Sequence, residues 1–131
     1  VDILLLGGRD EAALLERLQA AAGDAPVYNT GADNPLGASL ALVERCAVLV
    51  AGDTLAMHMA LAVGGRAVAI FGPTCAQEID LFGRGEKIVT PVDCAPCYRR
   101  TCDRQPNCQD MIGVQTVLDA VARQLAAGGI E

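Results

Sequence analysis

The stretch VLVAGDTLAMHMALAVGGRAVAIFGPT, residues 48–74, decides the fold. An apolar, strand-like run from Val48 to Ala51 ends at Gly52-Asp53-Thr54. A helical run from about Thr54 to Val63 follows and carries the chain's only histidine, His58. Gly64-Gly65 stops it, and a second apolar strand, Ala67 to Phe71, ends in Gly72-Pro73-Thr74. Strand, polar turn, helix, strand is a βαβ unit whose polar residues gather at the carboxyl end of the first strand. Open parallel sheets bind ligands at that edge. A helix that opens on Asp-Thr also aims its free N–H groups and its dipole at any phosphate placed there.

The flanks repeat this alternation. Upstream, Asp2 to Leu6 reads as a buried strand closed by Gly7-Gly8, and Asp10 to Ala22 as a helix with Leu14, Leu15 and Leu18 on one face. Pro26 ends that segment, Val27 to Asn29 is a short strand, and Leu36 to Arg45 is a second helix with Leu40 and Val43 inward. Downstream, Gln77 to Glu86 reads as an irregular connection and Lys87 to Thr90 as a strand. Residues 91–109 form a Cys-rich loop, and Gly113 to Ala127 an amphipathic helix through Val114, Val117, Leu118, Val121 and Leu125. The expected fold class is α/β, a parallel sheet with helices on both faces, built as one domain over residues 1–131.

Composition narrows the function. Hydrophobic residues are 52% of the chain but aromatics only 3%, so platforms for stacking nucleic-acid bases are scarce. The net charge of −6 repels a phosphate backbone, which excludes nucleic acid as a partner. A membrane-spanning segment needs about 18 consecutive apolar residues, and the sequence holds no such run. The start, Val1-Asp2-Ile3, has neither a basic leader region nor an initiator Met. The expectation is a piece of a longer protein from a reducing, cytoplasmic compartment.

Each turn at the carboxyl edge has a plain reading and a chemical one. Asp53 is an N-cap by residue type. Chemically, the amides of Thr54, Leu55 and Ala56 could hold a pyrophosphate, and His58, four residues after Thr54, stands one turn up the same face. Gly7-Gly8-Arg9-Asp10-Glu11 allows close backbone approach but is not G-x-G-x-x-G, so hydride transfer has no support. Its carboxylates either cap a helix or accept from ribose hydroxyls. Cys94, Cys97, Cys102 and Cys108 are spaced C-x2-C-x4-C-x5-C, which suits a structural zinc, a single iron or a small iron–sulfur cluster. Arg99, Arg100 and Arg104 would offset thiolate charge. Two disulfides or four free thiols satisfy the same spacing.

Taken together, these residues resemble glycosyltransferase family 9, the heptosyltransferases. GDTLAMHMALAVGGRAVAIFGPT, residues 52–74, is similar to that family's signature D-T-G-x-x-H-x-A-A-x-G-x-P-x-V-x-x-F-G-P-T. Leu6-Gly7-Gly8, Asn29-Thr30-Gly31, Ala38-Ser39-Leu40 and the Cys-rich tail follow in the family's order. The resemblance implies the donor-binding, C-terminal Rossmann-like half of a GT-B enzyme. The donor would be ADP-heptose and the acceptor lipopolysaccharide core, held by an N-terminal domain that the chain lacks and that would also supply the general base. It implies pyrophosphate binding at Thr54, Leu55 and Ala56 and a catalytic setting for His58 and Asp53. Glu11 and Gly8 would lie at the ribose, and Ser39 would border the adenine.

Transfer would need no cofactor, and any contact with the inner membrane would be peripheral. Two departures stand out: Leu55 replaces the signature's Gly, where it would crowd the diphosphate, and Arg66 replaces its Pro, where it would alter only a loop. The rival readings are another GT-B sugar-nucleotide enzyme, such as an epimerase, and a non-catalytic module stabilised by metal at the cysteines.

Overall fold

The computed structural model describes residues 1–129, and the end of the expected domain, residues 130 and 131, lies outside them. The chain divides into two compact units, Val1–Ala41 and Leu42–Glu131. The expectation of a single parallel sheet becomes two separate ones, β1-β2 and β3-β4-β5.

In the first unit, β1 (Ile3–Leu5) pairs in parallel with β2 (Val27–Asn29), with Leu4 opposite Tyr28. A 3-10 turn, Arg9–Glu11, precedes α1 (Ala12–Ala21). On α1 only Leu15 is buried, while Leu14 and Leu18 are 49% and 45% exposed. Two three-residue strands cover only a narrow stripe of a helix, so the wider apolar face expected from the leucines is not used.

α2 (Leu36–Glu44) leads into the second unit, where Val43 is buried. There β3 (Leu49–Gly52), α3 (Leu55–Ala62) and β4 (Ala67–Phe71) form the expected βαβ unit. β4 is central and parallel to both neighbours, with Gly52 opposite Ile70 and Phe71 opposite Val89 of β5 (Gly85–Val89). Its run of apolar residues is read correctly because a strand flanked on both edges and covered on both faces is apolar throughout. Ala69 and Phe71 pack with Met57 of α3, Ala76 and Leu81. Val68 turns to the other face and packs with Ile88 and with Ala120 of α4 (Val114–Ala127). Helices thus cover both faces of this sheet.

β5 starts two residues earlier than its apolar residues suggest. Gly85 sits so close to the Ala67 carbonyl that no side chain fits, and Glu86-Lys87 hides the strand in the sequence. Arg66 does more than alter a loop: it donates from Nη1 to Gln124 Oε1 at 3.0 Å and from Nη2 to the Ala127 carbonyl at 3.1 Å. A cation on the last carbonyls of α4 both satisfies them and complements the helix dipole.

Candidate functional site

The carboxyl edge of the β3-β4-β5 sheet carries the polar turns. β3 ends at Gly52, and Asp53-Thr54 lead into α3. Thr54, not Asp53, is the N-cap: its backbone is extended, with φ −138° and ψ 167°. Its carbonyl accepts the first helical bond, from the His58 N–H at 3.3 Å, and its hydroxyl makes no capping bond. The first-turn amides of a helix have no partner within it, so those of Leu55 and Ala56 open onto this edge. His58 stands one turn in, with Nε2 3.7 Å from Asp53 Oδ1. The imidazole is about half exposed and the Asp53 side chain a quarter exposed. A histidine so placed can donate to an anion resting on the helix start, with a carboxylate beside it at a distance too long for a hydrogen bond. Leu55 is 65% exposed at the first helical position, where its side chain lies open to solvent.

The neighbouring turn is built from β4 and two later segments. The carbonyl of Pro73 accepts from the N–H groups of Cys97 and Tyr98 at 3.0 and 2.8 Å. The chain returns at Thr90, whose hydroxyl donates to the Cys108 carbonyl at 2.6 Å. A side chain on Gly72 would stand 3.0 Å from Cys108 Sγ, so glycine is what lets the returning loop seat on the strand end. The Cys-rich loop therefore lies along this edge.

It does so without metal-ligand geometry. Among the described residues no three His, Cys, Asp or Glu side chains come close enough to hold an ion. Cys94, Cys97, Cys102 and Cys108 are all free thiols, with Cys97 and Cys102 facing solvent. The expected zinc or iron site is corrected on this point. Spacing places four sulfurs in one loop, but the loop's backbone is held by the Pro73 carbonyl and the Thr90 hydroxyl, and its sulfurs do not converge on a centre among the described residues.

The remaining predicted residues belong to the first unit. Glu11 Oε2 accepts from the Gly8 N–H at 2.8 Å, and the Glu11 N–H donates to the Gly8 carbonyl at 2.9 Å. The carboxylate thus closes the glycine turn and keeps its other oxygen free. Ser39 is half-buried in α2. The structure groups Asp53, Thr54, Leu55, Ala56 and His58 at one helix start, and Gly8 with Glu11 at one turn.

Sequence reasoning missed two residues at the carboxyl edge. Tyr98 donates from its hydroxyl to Glu78 Oε2 at 2.9 Å. The two lie 20 positions apart with no motif linking them. The positive φ of Tyr98, 54°, is equally invisible in a sequence.

This α/β arrangement, with polar turns at the carboxyl edge of a parallel sheet, is one that many ligand-binding enzymes share. The model of glycosyltransferase family 9 (heptosyltransferase) matches residues 1–107, and the chain belongs to that family. It is similar to lipopolysaccharide heptosyltransferase 1 of Pseudomonas aeruginosa, 34% identical over 107 residues, which are 81% of this chain and 26% of that protein. The chain thus spans about a quarter of the length of this curated relative. No solved structure matches it.

Proposed function

We propose that this chain is the nucleotide-sugar-binding part of a heptosyltransferase, taking ADP-heptose as donor for transfer to a lipopolysaccharide core acceptor. The observation that carries the reading is the Asp53-Thr54 turn. There a helix start with unpartnered amides, a histidine and a carboxylate converge at the carboxyl edge of a parallel sheet. In this reading the amides of Thr54, Leu55 and Ala56 hold the pyrophosphate. His58 donates to the oxygen on which charge builds as ADP departs, and Asp53 orders the turn beside it. Removing one such preorganised donor typically costs about 10²–10³ in rate. Glu11 and Gly8 hold the ribose, and Ser39 borders the adenine. The whole of residues 1–131 acts as one donor domain.

The acceptor and the general base belong to other parts of the longer protein, which works in the cytoplasm at or near the inner membrane. No helix among the described residues is long and apolar enough to cross a membrane. Transfer itself uses no metal or organic cofactor. The absence of a metal-ligand group among the described residues removes the support for a metal-stabilised, non-catalytic module.

Calorimetric titration with ADP, against UDP and GDP, tests the reading. Saturable binding selective for ADP, weakened by His58→Ala, is expected. A folded chain that binds none of the three at millimolar concentration sinks it.

A further inference from the structure

We infer that Tyr98 and Glu78 form the sugar-contacting wall of this site, the tyrosine ring packing on the transferred sugar and the carboxylate accepting from its hydroxyls. The inference rests on the donor-site reading above and goes beyond it by assigning the residues that meet the sugar.

Position comes first. Glu78 lies in a 3-10 turn, Ala76–Glu78, that leaves the carboxyl end of β4. Ala76 of that turn packs in the same buried cluster as Met57, the residue before His58 on α3. Lys87 fixes the turn from beneath by donating to the carbonyls of Ala76, at 2.7 Å, and of Ile79. Tyr98 hangs from Pro73, one strand over from the Asp53-Thr54 turn. The pair therefore sits on the same sheet edge as the proposed diphosphate site, on an element packed with its helix.

Strain comes next. A tyrosine at φ 54° occupies the left-handed region, which disfavours a side chain. Such residues persist where the surroundings over-determine them and cluster at active sites, ligand clamps and switch regions. Here the Pro73 carbonyl takes two adjacent N–H groups and Glu78 takes the hydroxyl. This contact holds an aromatic ring 55% exposed, where a ring with no partner would gain more by packing.

Chemistry completes the case. Phe71 is fully buried, and Phe82 belongs to the turn that enters β5 at the opposite edge, so Tyr98 is the exposed aromatic of this unit's carboxyl edge. An amphipathic ring beside a carboxylate with spare lone pairs suits a polyhydroxylated ring, apolar on its faces and rich in donors at its rim. Partial burial of the ring and the neighbouring Glu78 carboxylate push the phenol up to about 12, so it stays a donor at neutral pH.

The test compares ADP with ADP-heptose on the intact chain and on Tyr98→Asn and Glu78→Gln. Asn tolerates the left-handed backbone. Expected is ADP affinity within about twofold of the unsubstituted chain, which also shows the variants folded, and a loss of roughly tenfold or more for ADP-heptose. Unchanged ADP-heptose affinity in both variants overturns the assignment. Parallel loss of both ligands in both variants makes the pair a structural clasp and overturns it too. An unsubstituted chain that binds neither ligand sinks the donor-site reading itself, and this assignment with it.

Discussion

The imidazole of His58 and the carboxylate of Asp53 face each other at 3.7 Å across the first turn of α3, Nε2 toward Oδ1. At that spacing no hydrogen bond joins the two, so the ring and the carboxylate both remain open to a third group. His58→Gln is expected to weaken ADP binding about tenfold or more, the size of one hydrogen bond to a charged group. Asp53→Asn keeps the shape, loses the charge and has a smaller effect. Calorimetry on both variants checks the order; equal and negligible effects would remove the pair from the site.

Leu55 is the one departure from the family's signature at the helix start. Because its side chain is exposed rather than packed, Leu55→Gly removes little burial. The variant is expected to bind ADP more tightly and to melt slightly lower, since glycine costs a helix up to about 1 kcal/mol. Weaker ADP binding in Leu55→Gly would mean that the leucine helps the ligand instead of crowding it.

Arg66 should contribute to the fold through α4. Arg66→Ala removes the bonds to Gln124 and Ala127 and is expected to cost about 1 kcal/mol. The loss appears as a lower urea midpoint with an unchanged slope. No change would show that solvent serves those carbonyls equally well.

The Glu86–Arg123 pair makes stability depend on pH. Arg123 bonds both Glu86 oxygens, at 2.6 and 3.1 Å, and this holds the carboxyl below the usual carboxylate range. A lowered folded-state pKa contributes stability above the unfolded value, and the contribution is lost as pH falls through the folded value. Glu86→Gln should therefore be slightly less stable than the unsubstituted chain at neutral pH. The difference should shrink only on acidification below about pH 4.5. Both partners are partly solvated, so the effect is small. Urea midpoints from pH 3 to 7 read it directly.

The state of the cysteines is directly measurable. Chelator treatment should leave the melting temperature unchanged, since no ligand group converges among the described residues. Cys97 and Cys102 should alkylate first. Cys46 should be slow, because burial pushes its thiol up and its Sγ lies 3.3 Å from the Leu42 carbonyl. A chelator-induced drop in melting temperature would restore the metal reading.

Much of the second unit was legible because its signals are local. β4 announces itself as five apolar residues between a glycine pair and Gly72-Pro73. Met57 and Met59, read as core, are buried on different sides of α3. What failed was long-range. The leucine stripe of α1 and the exposed Val114 and Leu118 of α4 show that a periodic apolar face need not be a covered one. Four cysteines in spacing do not make four cysteines in space. The Tyr98–Glu78 contact and the Arg66 bonds join segments 20 and 58 or more residues apart, a distance over which no pattern of residue types carries information.

The bond from Thr90 to the Cys108 carbonyl has a consequence for how this domain can change. It draws together two points 18 residues apart at the end of a strand. Everything between them is an excursion that runs past the sheet edge, touching Pro73, and comes back to where it began. A short linker from Thr90 to Cys108 could replace it and leave β4, β5, α4 and the start of α3 standing. The hydrophobic scaffold and this loop can therefore be redrafted separately, and the two points are where a different loop could be grafted on the same frame.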